Sequence, residues 1–158
     1  MTTTSKQLRT LVTPDGTLEL SLVSVEIPDP GPDEVLVKIE ATPLNPSDLA
    51  LLLGPADMTT ARVSGLPDSP VVTADIPQNL RKTVAGRVGE SLPLGNEGAG
   101  VVVAAGSSAA AQALMGKRVG MVGGEMYAEY RCVNLMMCLE LEEGTTADHL
   151  GKFSRARL

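Results

Sequence analysis

Turn-forming residues interrupt this chain at short intervals, and that punctuation constrains its fold more than any single motif does. Eleven prolines and sixteen glycines are spread over 158 residues. Between them lie short apolar runs, many with the alternation of strands that bury one face. Lys6 to Val12 and Thr17 to Ile27 flank Pro14-Asp15-Gly16, which is turn chemistry, so the two runs read as a hairpin. Three prolines within Pro28 to Glu34 forbid ladder bonding and mark a loop. Glu34 to Ala41 is the cleanest strand. Val35, Val37, Ile39 and Ala41 face one way, and Glu34, Leu36, Lys38 and Glu40 the other.

A short helix is expected after Asn45-Pro46-Ser47-Asp48. Ser47 or Asn45 can cap it, Asp48 in its first turn suits the helix dipole, and Gly54 stops it behind an apolar stripe of Leu49, Leu52 and Leu53. From Pro55 to Leu92 the pattern weakens. That segment reads as a long, partly mobile loop excursion with one strand candidate, Pro70 to Ile76. Ala99 to Gly106 is a buried strand, Ser107 to Gly116 a short helix with a serine cap, and Lys117 to Gly124 a strand ending in a double-glycine turn. Met126 to Val133 and Met136 to Glu143 are further short strands, and a helix capped by Thr145 or Thr146 starts near the end. These elements predict a mainly β fold, a compact barrel or sandwich-like domain with short helices.

The length suits one domain with a real core. Its aromatic residues are Tyr127, Tyr130 and Phe153, so the core must come from Val, Leu, Ala and Met, and base-stacking platforms are scarce. The net charge of −6 disfavours nucleic acid and anionic membrane as partners. Lys152, Arg155 and Arg157 form a local basic cluster that reads as a solvated tail. The N-terminus lacks the apolar core of a signal peptide, and no apolar run reaches the roughly 18 residues of a membrane span. Cys132 and Cys138 read as buried thiols of a reducing compartment. The expectation is a soluble, cytoplasmic protein.

The chemistry narrows by elimination. The single histidine, His149, with Cys132 and Cys138 would make an unusual zinc set, and no nucleophile has an evident base. Gly95 to Gly100 does not fit the G-x-G-x-x-G fingerprint, and a strand rather than a helix follows it. Two spots remain. Asn45-Pro46-Ser47-Asp48 reads as ordinary capping or as a rigidly presented Asn45. Gly95-Asn96-Glu97-Gly98 reads as a polar turn into a strand or as a site.

Three blocks carry a family resemblance: DEVLVKIEATPLNPSDLALLLG, LPLGNEGAGVVVAAGSS and GKRVGMVGGEMYAEYRCV. In this order they resemble the first domain of the medium-chain dehydrogenase/reductases, over Lys6 to about Thr146 apart from the excursion. Zinc alcohol dehydrogenases of that family carry Gly-His-Glu where this chain has Gly95-Asn96-Glu97, and a cysteine within the stretch matching Thr42 to Asn45. They also carry a four-cysteine lobe. None of these is present, so the chain resembles the zinc-free branch, the NADPH:quinone oxidoreductases and 2-enoyl reductases. An amide is a poor zinc ligand and a good hydrogen-bonding group.

The resemblance implies a GroES-like, partly open β-barrel, with the Rossmann domain absent from this chain. It implies NADPH as cofactor, no zinc, and hydride transfer to a quinone or an activated alkene. Asn45, Asn96 and Tyr127 are the implied catalytic residues, Asn45 and Tyr127 lining the nicotinamide and substrate cleft and Asn96 standing in the emptied metal position. Asn45, Pro46 and Glu97 are the implied cofactor contacts. Enoyl reductases of this type have a tyrosine soon after the N-P-S-D helix, whereas Gly54 to Met58 has none. The expected organisation is a GroES-like substrate-side domain over 1–146, including the excursion at 55–92, and a truncated linker over 147–158. Such a fragment is expected to bind NADPH weakly and to self-associate. The alternative is a stand-alone, non-enzymatic β module for protein interaction.

Overall fold

A computed structural model describes residues 3–142. The leading hairpin is β1 (Thr3–Val12) and β2 (Thr17–Ile27), turned at Gly16, followed by β3 (Glu34–Ala41) and the helix α1 (Pro46–Leu52). Then come β4 (Asp57–Leu66), β5 (Ser69–Asp75), a 3-10 stretch at Gln78–Arg87, β6 (Ser91–Pro93) and β7 (Glu97–Ala105). A four-residue helix α2 (Ala109–Gln112), β8 (Arg118–Val122), β9 (Tyr130–Asn134), a 3-10 turn at Leu135–Met137 and β10 (Cys138–Glu140) complete the described elements. Strands dominate and the helices are short, as the punctuation predicts. The helix expected after Gly144, together with His149, Phe153 and the basic cluster, lies outside the described residues.

The chain divides into two compact units. One comprises residues 1–6, 24–43 and 95 onward, the other residues 7–23 and 44–94. The first holds a five-stranded sheet in the order β10-β8-β7-β3-β9, and its ladders are antiparallel. Val35, Val37, Val102, Ala111, Val119, Met121, Met126 and Val133 form its core. No aromatic ring takes part, which is what the composition requires. Leu36 is buried as well as Val35 and Val37, so β3 alternates cleanly only from Val37 onward. An interior strand is covered on both faces there, which the simple two-faced reading missed. Ser108 caps α2, its Oγ accepting from the Ala111 N–H at 3.2 Å.

In the other sheet the order is β4-β5-β2-β1-β6. The second unit's core is small: Val12, Leu18, Ile76 and Val84, with Ala56 and Leu80 against them. Within the excursion from Pro55 to Leu92 the strand candidate Pro70 to Ile76 is present as β5, and where the sequence reads the rest as loop the structure has β4, the 3-10 stretch and β6. β4 escapes a pattern search because nine of its ten residues are exposed, so no apolar face announces it. It is held instead by its ladder to β5 across the two-residue turn Pro67-Asp68. A proline inside a strand reads against strand structure, yet Pro70 sits opposite Gly65 and beyond Val71, where the ladder to β2 ends.

Candidate functional site

The first unit carries the candidate site. At Gly95 the backbone has φ +91°, and a Cβ there would lie 2.7 Å from Tyr127 N and 2.8 Å from its ring Cδ1. Only glycine meets both conditions. The Met126 N–H donates to Gly95 O and the Gly123 N–H to Asn96 O, each at 3.1 Å. The Gly95–Gly98 turn is thereby fastened to the segment that follows β8. Gly123, Gly124 and Glu125 all have positive φ, and this turn delays the next strand. The run expected from Met126 to Val133 consequently begins as a strand only at Tyr130.

The turn sets Met126 and Tyr127 beside the end of β3. Ile39, Glu40, Ala41, Thr42, Met126, Tyr127 and Ala128 line a solvent-open cleft of about 390 Å³. The β3–β7 register shifts between Ile39 and Ala41, within this lining. Such bulges re-aim side chains at the margin of a sheet. Met126 is fully buried, Tyr127 is half-buried, and the Tyr127 hydroxyl donates to Pro43 O at 3.1 Å. Beside them Arg118 Nε donates to Glu40 Oε2 at 2.9 Å.

The five residues singled out in the sequence fall in two places. Tyr127 lies in the cleft wall. Asn96 is exposed in the turn packed against Tyr127, and half-buried Glu97 opens β7 opposite Val122. These three belong to the first unit, whereas Asn45 and Pro46 belong to the second. There Asn45 is the N-cap of α1 and Pro46 its first residue. The Asn45 N–H donates at 2.9 Å to Oδ2 of Asp48, a carboxylate only 2% exposed. The other six lining residues were missed in the sequence. The signal that could have found Ile39 to Thr42 is the end of a regular strand against Thr42-Pro43.

Among the described residues, no three His, Cys, Asp or Glu side chains gather into a metal-binding group. Burial first, then the charge of Glu34, pushes the Cys132 thiol up to about 11, and burial alone does the same for Cys138. Thiols held protonated are poor ligands and poor nucleophiles. A dinucleotide needs a cradle of backbone N–H groups for its phosphates. The described residues do not fit one: α2 has four residues, α1 opens on Pro46, which lacks an N–H, and the glycine turn at Gly95 leads into a strand.

Two antiparallel sheets, short helices and a glycine turn beside a strand-end cleft define the GroES-like class of β domain. Residues 31–151 match the family model of the alcohol dehydrogenase GroES-like domain, and the chain belongs to that family. Among solved structures, a candidate NADPH:quinone reductase of Mesorhizobium loti is similar, with 25% identity and TM-score 0.57 over 94% of this chain and 40% of that one. The Coxiella burnetii quinone oxidoreductase shares 20% identity and TM-score 0.57 over 91% and 39%. The Escherichia coli quinone oxidoreductase, solved with NADPH, shares 18% identity and TM-score 0.56 over 94% and 36%. The chain thus spans about two fifths of the length of these relatives. No curated protein matches it. Among the described residues, no helix is long and apolar enough to cross a membrane.

Proposed function

We propose that this chain forms the substrate side of a zinc-independent, NADPH-dependent oxidoreductase that reduces quinones or activated alkenes. The observation that carries this reading is the cleft at Ile39–Thr42 and Met126–Ala128, with Tyr127 in its wall, in a chain of this family. NADPH supplies the hydride when bound, and the protein's part is to orient the acceptor and exclude water. Half-buried Ile39 gives the acceptor ring an apolar contact and Tyr127 gives it a polar edge. Asn96 takes the place of a metal ligand with an amide, and Asn45, Pro46 and Glu97 contact the cofactor. These residues by themselves are expected to bind NADPH weakly and to complete no turnover.

The test is an amide-resolved NMR titration of the purified chain with menadione and, separately, NADPH. Menadione is expected to shift the signals of Ile39–Thr42 and Met126–Ala128. NADPH alone is expected to bind more weakly than about 0.1 mM, that is, with less than about 5.5 kcal/mol. Sub-micromolar NADPH binding, or menadione shifts confined to other residues, would overturn the reading. Elemental analysis is expected to find far less than one zinc per chain, and stoichiometric zinc would sink the role given to Asn96.

One observation favours a second reading, a β module for protein interaction. β4 is the edge of its sheet, with Val63 76% and Leu66 70% exposed. Unprotected apolar edges invite pairing with another chain. Light scattering that shows a monomer at every concentration would count against it.

A further inference from the structure

Glu125 has φ +63° and, among the described residues, is the one non-glycine in the left-handed region. A side chain there is strained, and such conformations persist where surrounding contacts over-determine them. Two sets of contacts do so. On the N-terminal side, the Gly123 N–H is held by Asn96 O. From the sheet, Arg131 Nη1 meets Glu125 Oε2 at 3.0 Å. Arg131 projects from β9, opposite Val37 of β3, which is fully buried. Its Nε is buried without a hydrogen-bond partner in the structure. Nε is thus shut from solvent, while Nη1 meets the carboxylate in a pair that is itself partly exposed. An exposed ion pair would normally deserve little weight. This one closes on a strained residue two positions before Tyr127.

We propose that Arg131, acting through Glu125, is a positioning residue for Tyr127. The ion pair holds Glu125 in its left-handed conformation. That conformation turns the chain so that Met126 enters the core and the Tyr127 hydroxyl reaches Pro43 O. The consequence for ligand binding rests on the proposed function, but the placement of Tyr127 does not.

The chain has two tyrosines, so [13Cζ]tyrosine NMR reads Tyr127 directly, with Tyr130→Phe as the assignment control. Arg131→Met is expected to shift or split the Tyr127 signal and to weaken menadione binding about tenfold. Glu125→Ala removes the same pair from the solvent side without touching β9, and is expected to displace the signal likewise. The double variant Glu125→Gly/Arg131→Met is expected to restore signal and affinity to within about twofold, because glycine adopts this φ unaided. A merely structural ion pair would show no rescue by glycine. An unmoved Tyr127 signal in Glu125→Ala, or a double variant as displaced as Arg131→Met, overturns the proposal. A Tyr127 signal that follows the expected pattern while menadione binds no form, wild type included, upholds the positioning and overturns the substrate reading.

Discussion

In the first unit β3 lies inside its sheet, with Val35 and Val37 fully buried and ladders to β7 and β9 on its two sides. In the second, β4 lies at the edge of its sheet with nearly every residue in solvent. In the first unit a Cβ on Gly100 of β7 would collide with Lys38 O of β3, and one on Gly106, just past β7, with Gly31 O in the loop before β3. The second unit has a smaller core and polar ties near solvent. Arg9 Nε donates to Ser91 Oγ at 2.8 Å, and Arg87 Nη2 to Leu51 O at 3.1 Å. Close packing fixes positions to fractions of an ångström, while hydrogen bonds near solvent hold less tightly. The candidate cleft is built in the unit that is packed.

The sharpest break of this contrast is Gly100→Ala. Its methyl has no space against the Lys38 carbonyl, and a loss of about 3 kcal/mol is expected in urea unfolding. A loss below about 1 kcal/mol would show that the first unit gives way easily. Next comes thiol chemistry, which probes the first unit alone because both cysteines lie there. With both thiols raised to about 11 from 9.0, the thiolate fraction at neutral pH falls about a hundredfold, and iodoacetamide labelling should slow in proportion. The sign for stability follows. These groups favour folding below pH 9, and their contribution is lost as pH rises from 9 towards 11. Fast labelling in the native state would mean that β9 and β10 open readily.

A smaller effect is expected for Arg87→Ala in the second unit. It removes the donor to Leu51 O at the end of α1 and a longer bond, 3.4 Å, to Thr10 Oγ1. Burial lowers the Arg87 pKa, and its Nε has no partner, so part of the loss is offset. A net cost of about 1 kcal/mol is expected by thermal unfolding. The smallest effect belongs to Arg62→Ala. The Arg62–Asp75 pair is 2.6 Å long but exposed, and although Arg62 holds the Asp75 carboxyl below its ordinary range, no measurable change in Tm is expected. A clear drop would make the β4–β5 hairpin more than a solvated edge.

Legibility in the sequence followed the same division. β1, β2, β3, β5, β7 and β8 carry apolar alternation or β-branched runs, and the structure has strands there, with some ends shifted by one to three residues. The caps were readable in part: Ser47 or Asn45 before the first helix and a serine before the second, of which the structure uses Asn45 and Ser108. β4 was not readable: the apolar residues of Asp57 to Leu66 fall at Met58, Ala61, Val63 and Leu66 with no alternation, and the strand is held by its ladder to β5. The cleft was legible only in part. The Gly95–Gly98 turn stood out by its own residues and Tyr127 only through the family resemblance, whereas Met126 and Ile39 resemble ordinary core residues until the fold sets them side by side. The turn through Glu125 had no signal at all, since glutamate is a poor indicator of left-handed backbone.

The hairpin tip at Leu66-Pro67-Asp68-Ser69 has a practical bearing. All four residues are exposed, and none belongs to either buried cluster. Exposed tips of this kind accept added polypeptide with little penalty. A short epitope or fluorophore-bearing peptide spliced between Pro67 and Asp68 gives a handle for immobilisation that takes no residue from either buried cluster.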